Sequence, residues 1–412
     1  MVIPFLSGKY LFLLDSVPRL NEYGVLEQFF GKSAPVYGGG LPITLLSAII
    51  PAEIFQKILL FLILFLSGYS MHSLASKFAL SKTAQFYAGL LYMLNPYTYI
   101  RIVVGHWLIL FAYAILPLAV KYFIEMLDKK DLKSIIKTAL ITTLVAFNAH
   151  TLFIAFLIFS ILFLFRLRKD ESTNLIKLIV ILSILFFALN TYWLLPLFTA
   201  KKDTLLSYIS LRDIEAFSPK GSLFGMGMYG FWREGYIYAK DFLPFWHILF
   251  LAIFILALYG FISFRRDKYV LAFGFVWLVG FALASGIKGP LNDTFKLLFE
   301  HILLKGMRDT HKFVAMLAFS YSILGALGLA KIEKDLEDKK LIKKAVILAV
   351  LLIPLVYSFT FFNGFAGQIK PTDFPKDWYE VNEFLDKDKL RFCFSLGISA
   401  WTFTGFQTRT SV

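Results

Sequence analysis

Ten strongly apolar stretches run through this 412-residue chain, and the segments between them are alternately rich and poor in Lys and Arg. A helix that crosses the hydrocarbon core of a bilayer needs about 20 predominantly apolar residues, or fewer where it is short or kinked. The predicted spans are residues 54–76, 82–100, 107–127, 134–147, 149–165, 175–196, 242–264, 269–285, 313–330 and 344–362. The pattern therefore predicts an all-α integral membrane protein with about ten transmembrane helices.

Composition agrees with that class of protein. Hydrophobic residues make up 58% of the chain and aromatic residues 18%, which excludes a soluble domain. The net charge of +14 could indicate nucleic-acid binding, but basic residues spread over short loops are typical of membrane topology. We therefore expect the lipid bilayer, and no nucleic acid, among the partners. The single cysteine, Cys393, excludes an intramolecular disulfide and a cysteine-based metal site.

The alternation of basic loops predicts the orientation in the membrane. Short loops rich in Lys and Arg face the cytoplasm. Five loops qualify, and they contain Lys77/Lys82, Lys129/Lys130/Lys133, Arg166/Arg168/Lys169, Arg265/Arg266/Lys268 and Lys331/Lys334/Lys339/Lys340. The long connections 15–53, 197–241 and 286–312, together with the C-terminus, are then external, as in a multi-pass protein of the plasma membrane.

The stretch from Ser134 to Phe165 allows two interpretations. Both of its ends are basic, so two short helices with a turn at Asn148-Ala149-His150 keep both ends on one side. One long, bent helix would instead invert everything downstream. The hairpin is favoured because it leaves Arg265/Arg266 and the Lys331–Lys344 run inside.

The two ends of the chain carry further expectations. Residues 1–14 resemble the tail of an eleventh, partial helix; either the first helix is missing or the chain begins outside, and a truncated start is favoured. Residues 1–363 form the predicted transmembrane domain. Residues 364–412 are predicted to begin an external domain whose end is clipped or frameshifted, because too few residues remain to build a core. Segment 291–304 has the spacing of an amphipathic helix at the membrane surface.

Two sets of polar residues mark the outer face near the beginning of the chain. Asp15 follows the apolar run YLFLL and would sit at the outer surface, where a carboxylate can accept a proton; a carboxylate that caps a helix end in water is the alternative. Arg101 and His106 flank a tight external turn and offer a cation and an acid/base group. Alternatively, Arg101 reaches lipid headgroups and His106 bonds to backbone.

A second set of polar residues lies in the later external segments. Arg308 and Lys312 precede a late helix and could grip a lipid phosphate, whereas the intervening Asp309 could cap that helix. Glu234 lies in the 197–241 loop and is a further candidate for substrate binding. Asp213 and Glu215 in the same loop could share a divalent cation if the backbone there is extended; a solvated loop is the commoner explanation of such a pair.

Three segments carry a family resemblance: YLFLLDSVPR near the start, LLYMLNPYTYIRIVVGHW with the following LPLAVKYF, and GMRDTHKFVAMLAFSYSILGALGLA before the last helices. Together they resemble polytopic glycosyltransferases of the GT-C class, particularly archaeal and bacterial members similar to arabinofuranosyltransferases. The resemblance implies a polyprenyl-phosphate-linked sugar as donor, a glycan, lipid or protein as acceptor, and action at the outer face. It also implies that Asp15 is the required acidic residue and that Arg308 contacts the donor phosphate.

Two other classes of function remain open from the sequence. A flippase for lipid-linked sugars would need a hydrophilic path across both leaflets, whereas the polar residues here crowd one face. A non-catalytic membrane scaffold is the other alternative. The expected function is therefore a membrane glycosyltransferase with Asp15 as general base and Arg308 as phosphate anchor.

Overall fold

The computed structural model describes residues 8–16, 49–78, 80–167, 172–199, 210–218, 221–289, 292–300 and 305–387, together with positions 39, 42, 45 and 46. Helices dominate these residues. The first seven helices are α1 (Ala52–Ser76), α2 (Lys82–Met93), α3 (Pro96–Val104), α4 (Trp107–Lys129), α5 (Leu132–Val145), α6 (Ala149–Arg166) and α7 (Ser172–Thr199). They are followed by the short α8 (Leu211–Ala216) and α9 (Ser222–Met226), then α10 (Trp246–Phe264), α11 (Lys268–Ser285), α12 (Asn292–Glu300), α13 (Val314–Asp335), α14 (Lys340–Tyr357) and α15 (Lys376–Lys387). Two short strands, β1 (Tyr10–Leu11) and β2 (Pro371–Thr372), pair antiparallel.

Seven helical segments in the described part of the chain are long and apolar enough to cross a membrane. They cover residues 52–76, 107–129, 149–166, 172–195, 246–264, 268–288 and 310–335. The described residues are thus mostly helical and include helices of membrane-spanning length, which fits the predicted all-α membrane class, whereas the predicted count of ten spans is not confirmed. Predicted span 82–100 is two helices, because Asn95 ends α2 and caps α3 by accepting from the Thr98 amide at 3.0 Å. The predicted spans 134–147 and 344–362 correspond to α5 and α14.

Helix α13 lies at the centre of the bundle. Nearly all of its residues from Val314 to Leu329 are buried, although its sequence is as apolar as that of a lipid-facing helix. Small residues allow its neighbours to approach closely. A Cβ on Gly260 of α10 would lie 2.0 Å from the Leu324 carbonyl oxygen, and one on Gly328 would lie 2.1 Å from the Leu256 carbonyl oxygen. The two helices therefore pack backbone against backbone, as small residues permit in membrane bundles.

The predicted hairpin between residues 134 and 165 is confirmed as two helices that reverse direction. Helix α5 starts beside Asp128, whose carboxylate lies 2.9 Å from Lys77 Nζ. The chain breaks between α5 and α6, where Asn148 caps α6 by accepting from the Thr151 amide. Helix α6 then returns to Asp128, with Arg166 Nε 3.8 Å from the carboxylate. Basic loops that are far apart in sequence thus meet at one end of the bundle, as their alternation predicted.

The partial helix predicted over residues 1–14 is wrong for residues 8–14. These residues form β1 and turns rather than a helix, because their backbone bonds to distant groups. The Leu11 amide and carbonyl both bond to the Gln56 side chain, at 3.0 Å each. Residues 1–7 lie outside the described part of the chain. The predicted amphipathic segment 291–304 is helical over Asn292–Glu300, and its location at the membrane surface stays a prediction.

Candidate functional site

The site lies at the end of the bundle opposite Asp128 and is built around helix α3. Asn95 caps the start of this helix, and Gly105 ends it with a left-handed φ of 94°. This short helix holds Arg101 inside the bundle, while the turn at Gly105 places His106 just before α4. A Cβ on Gly105 would lie 2.8 Å from Ser16, so glycine also lets the N-terminal segment approach. The Asp15 amide donates to the Val104 carbonyl at 2.9 Å and fixes that segment in place.

Arg101 and Asp309 form a buried ion pair across 208 residues of sequence. Arg101 Nη1 lies 2.7 Å from Asp309 Oδ2, and the two side chains are 0% and 7% exposed. The rings of Tyr97 and Phe231 cover the guanidinium at 5.5 and 5.1 Å. Burial alone would raise the pKa of the Asp309 carboxyl, but the charges of Arg101 and Lys312 outweigh it and hold that pKa well below its usual range. Asp309 is therefore ionised, and Arg101 is a site residue rather than an arginine that reaches the headgroups.

His106 connects this buried pair to Asp15. Its Nδ1 lies 2.7 Å from Arg101 Nη1, and its Nε2 is hydrogen-bonded to Asp15 Oδ2. A guanidinium can only donate, so Nδ1 must accept and the proton of the neutral ring must lie on Nε2. Burial lowers the pKa of His106, and although the Asp15 carboxylate opposes this, the Arg101 charge adds to it. The ring is therefore a neutral imidazole that donates to Asp15.

Asp15 is the most accessible member of the chain of contacts that ends at Asp309. Its side chain is 34% exposed, compared with 18% for His106. Oδ2 accepts from His106, and no hydrogen bond to Oδ1 occurs among the described residues. An anionic carboxylate with one oxygen held and the other open can accept a proton from an incoming hydroxyl.

Lys312 and His311 lie in a 3₁₀ turn, Thr310–Phe313, that leads into α13. His311 Nδ1 accepts from Arg101 Nη2 at 3.0 Å, by the same argument that applies to His106. Lys312 is buried, and its Nζ donates to the Gly306 carbonyl at 3.3 Å. It makes no ion pair with another described residue. The charges of Arg101 and Asp309 cancel, so the buried cluster keeps one net positive charge, that of Lys312. This charge favours an anion nearby.

Arg308 and Glu234 lie at the rim. The Arg308 guanidinium stacks on the Phe217 ring at 4.9 Å and is half-buried. Glu234 is exposed on the loop between Gly230 and Gly235, which both have left-handed φ. The same loop carries Phe231 and also Tyr236, whose pKa is raised by burial and by the charge of Asp15, against the opposing charge of Arg233. Phe231 also packs edge-on against His106, with ring centroids 6.0 Å apart, so the loop lies beside the His106–Asp15 pair.

The predicted metal pair, Asp213 and Glu215, does not meet its geometric condition. The segment is helix α8 rather than extended backbone, so residues two apart point to different faces. The Asp213 carboxylate caps this helix and accepts from the Ser210 amide and hydroxyl at 2.8 and 2.7 Å. Among the described residues, no cluster of three His, Cys, Asp or Glu side chains could hold a metal ion.

Two site residues were not identified from the sequence. Asp309 was expected at most to cap a helix, but its side chain caps nothing and pairs with Arg101 instead. Gln56 has no chemical motif around it, yet its side-chain amide bonds to both the amide and the carbonyl of Leu11.

An apolar groove lies at the same end of the bundle as the site. It is lined by Leu243, Leu355, Val356, Phe359 and Phe362.

Comparison with known proteins adds no assignment. No family model, curated protein or solved structure matches this chain.

Proposed function

We propose that the protein is a glycosyltransferase of the plasma membrane that moves a sugar from a polyprenyl-phosphate donor to an acceptor at the outer face. The observation that carries the proposal is the Asp15 carboxylate, which is held by a neutral His106 and has one oxygen open. The resemblance of YLFLLDSVPR and GMRDTHKF to GT-C enzymes supports the same assignment. The acceptor is a molecule with a free hydroxyl, which a glycan, a lipid or a protein can supply.

The proposed reaction uses Asp15 as general base. Asp15 Oδ1 takes the proton of the acceptor hydroxyl while the acceptor oxygen attacks the anomeric carbon of the donor sugar. The bond between that carbon and the phosphate oxygen breaks, and its electron pair leaves with the polyprenyl phosphate. His106 keeps its proton throughout and orients the carboxylate. The negative charge that develops on the leaving phosphate is stabilised by nearby cations, of which Lys312 and Arg308 are the candidates.

The distribution of charge and apolar surface fits such a donor. The buried charge of Lys312 is matched by no described carboxylate of its own, so a phosphate near it would gain an ion pair without breaking one. The Arg308 guanidinium lies over the Phe217 ring and is half-buried at the rim. The apolar groove beside α14 has the lining that an isoprenoid tail needs.

Transfer in detergent tests this proposal. The purified chain is mixed with polyprenyl-phosphate sugars and with glycan, lipid and peptide acceptors, and glycosylated product is measured. Arg308→Ala should raise the KM for donor about ten- to hundredfold, because a charge-assisted hydrogen bond is worth about 1.5–3 kcal/mol. Arg265→Ala, at the other end of the bundle, is the control. Movement of the donor across vesicles without any transfer would instead favour a flippase, and neither activity would favour a scaffold.

A further inference from the structure

The segment that carries Asp15 has little structure of its own and is held from outside. Residues 8–16 contain two strand residues and a tight turn closed by two backbone hydrogen bonds between Leu13 and Ser16, and the Asp15 side chain is bonded to a single residue, His106. Where the carboxylate lies therefore depends on where the backbone of this segment is held. Two sets of hydrogen bonds hold this backbone. The Gln56 side chain bonds to the backbone of Leu11, and the Asp15 amide donates to the Val104 carbonyl.

The side-chain amide of Gln56 makes the two hydrogen bonds to Leu11 that a neighbouring strand would make. Its Oε1 accepts from the Leu11 amide and its Nε2 donates to the Leu11 carbonyl, both at 3.0 Å. This pattern repeats the pair of bonds that one residue exchanges with its neighbour in an antiparallel sheet. Gln56 is 5% exposed and lies in the first turns of α1, a rigid helix of 25 residues. A primary amide carries a donor and an acceptor side by side without a charge, as this geometry requires.

Strand β2 holds the other side of the segment. Tyr10 pairs with Thr372 and Leu11 with Pro371. Phe374 packs edge-on against Tyr10 and Phe12, with ring centroids 4.7 and 4.8 Å apart. Lys9 and Asp373 form an ion pair at 3.1 Å. The chain that follows the last long helix thus clamps the segment that leads to Asp15.

We propose that Gln56, assisted by the β2 strand, is a positioning residue for Asp15: it anchors Leu11 so that the carboxylate four residues later meets His106. This inference rests on the proposed function for its kinetic consequence but not for its structural one. It also implies that residues 371–374 belong to the site, although they follow the last predicted span.

Hydrogen exchange tests the structural part without any assay of activity. Gln56→Met keeps the length of the side chain and removes both bonds. Gln85→Met is the matched control, because Gln85 is also buried and its Nε2 donates to a backbone carbonyl, that of Leu80, at the opposite end of the bundle. Exchange of the Leu11 and Asp15 amides should become at least about tenfold faster in Gln56→Met and stay unchanged in Gln85→Met. Unchanged exchange in Gln56→Met would overturn the proposal.

Kinetics and a crosslink test the positioning role. Gln56→Met should lower kcat for sugar transfer by up to about a hundredfold with an unchanged KM for donor, since a misplaced base slows the chemical step. A Tyr10→Cys/Thr372→Cys disulfide in a Cys393→Ser background should restore most of kcat, because opposed residues in antiparallel strands lie within disulfide range. Loss of kcat without rescue would show that Gln56 is merely structural. If the wild-type chain transfers no sugar, the proposed function fails, while the exchange result still decides the anchoring.

Discussion

A guanidinium with no exposed surface is stable only when its charge is matched. Arg101 has Asp309 as its counter-charge, His106 and His311 as acceptors, and two aromatic rings within cation–π distance. Asp309 in turn is ionised because Arg101 lies 2.7 Å away. Each member therefore keeps the other charged, and removing one leaves a buried charge without compensation.

Asp309→Asn should destabilise the protein by about 3–5 kcal/mol, because it leaves the Arg101 charge unpaired while preserving shape. Arg101→Met should cost a similar amount. The double variant should cost clearly less than the sum, and thermal unfolding in detergent measures all three. Effects that simply add would show that the two side chains are not coupled.

The lowered pKa of His106 predicts that the stability of the protein depends on pH. Its folded-state pKa is lowered, so the unfolded chain binds the proton more readily. The contribution of the neutral ring to stability is then fully present above about pH 6.5, the usual value, and is lost as the pH falls below it. This one group can change the free energy of unfolding by at most about 1.4 kcal/mol per pH unit. His106→Gln should flatten the fall in melting temperature between pH 6.5 and 5. An identical fall in both proteins would contradict the assignment of a neutral ring.

Local patterns identified most of this cluster, including Lys312, but not Asp309. Asp15, Arg101 and His106 stood out because charged groups beside apolar runs mark the membrane edge. The Arg101–Asp309 pair could not be predicted, because Arg101 has a plausible local role at the headgroups and Asp309 has one as a cap. Only long-range packing decides between these roles.

At the scale of elements, close helix crossings set the shape of the bundle. Helices α10 and α13 meet where Gly260 and Gly328 lie, with no room for a Cβ on either. Gly328→Ala should therefore lower stability by about 1–3 kcal/mol or more, since overpacking moves both backbones. Gly225→Ala is the control, because nothing lies within 4 Å of its added Cβ. Equal melting temperatures for the two variants would show that the crossing adjusts freely.

Helix positions were predicted well and helix breaks less well. Apolar periodicity and length locate α1, α4, α6 and α10 to within a few residues. The break at Leu94–Asn95 was missed because Asn95 and Pro96 were included in the predicted span 82–100, although Asn95 caps a new helix there. The N-terminal strand was missed because its partners, Gln56 and residues 371–372, are far away in sequence.

At the scale of the whole molecule, each end of the bundle has its own cluster of charged side chains. Lys77, Asp128 and Arg166 meet at one end, and Asp15 and Arg101 lie at the other.

The basic loops predict that Lys340→Cys is labelled only from the cytoplasm and Glu215→Cys only from outside, in a Cys393→Ser background. Both positions are exposed and can therefore react. Impermeant maleimide applied to intact cells measures this. External labelling of Lys340→Cys would invert the topology and remove Asp15 from the outer face.

The central claim is that Asp15 removes the acceptor proton, and single turnover with pre-bound donor tests it most directly. Asp15→Asn keeps the shape of the side chain but cannot accept the proton. It should slow transfer by about a hundred- to ten-thousandfold and leave donor affinity within about twofold of wild type. Asp293→Asn, at an almost fully exposed carboxylate on α12, should transfer at close to the wild-type rate. Wild-type transfer by Asp15→Asn would contradict the account.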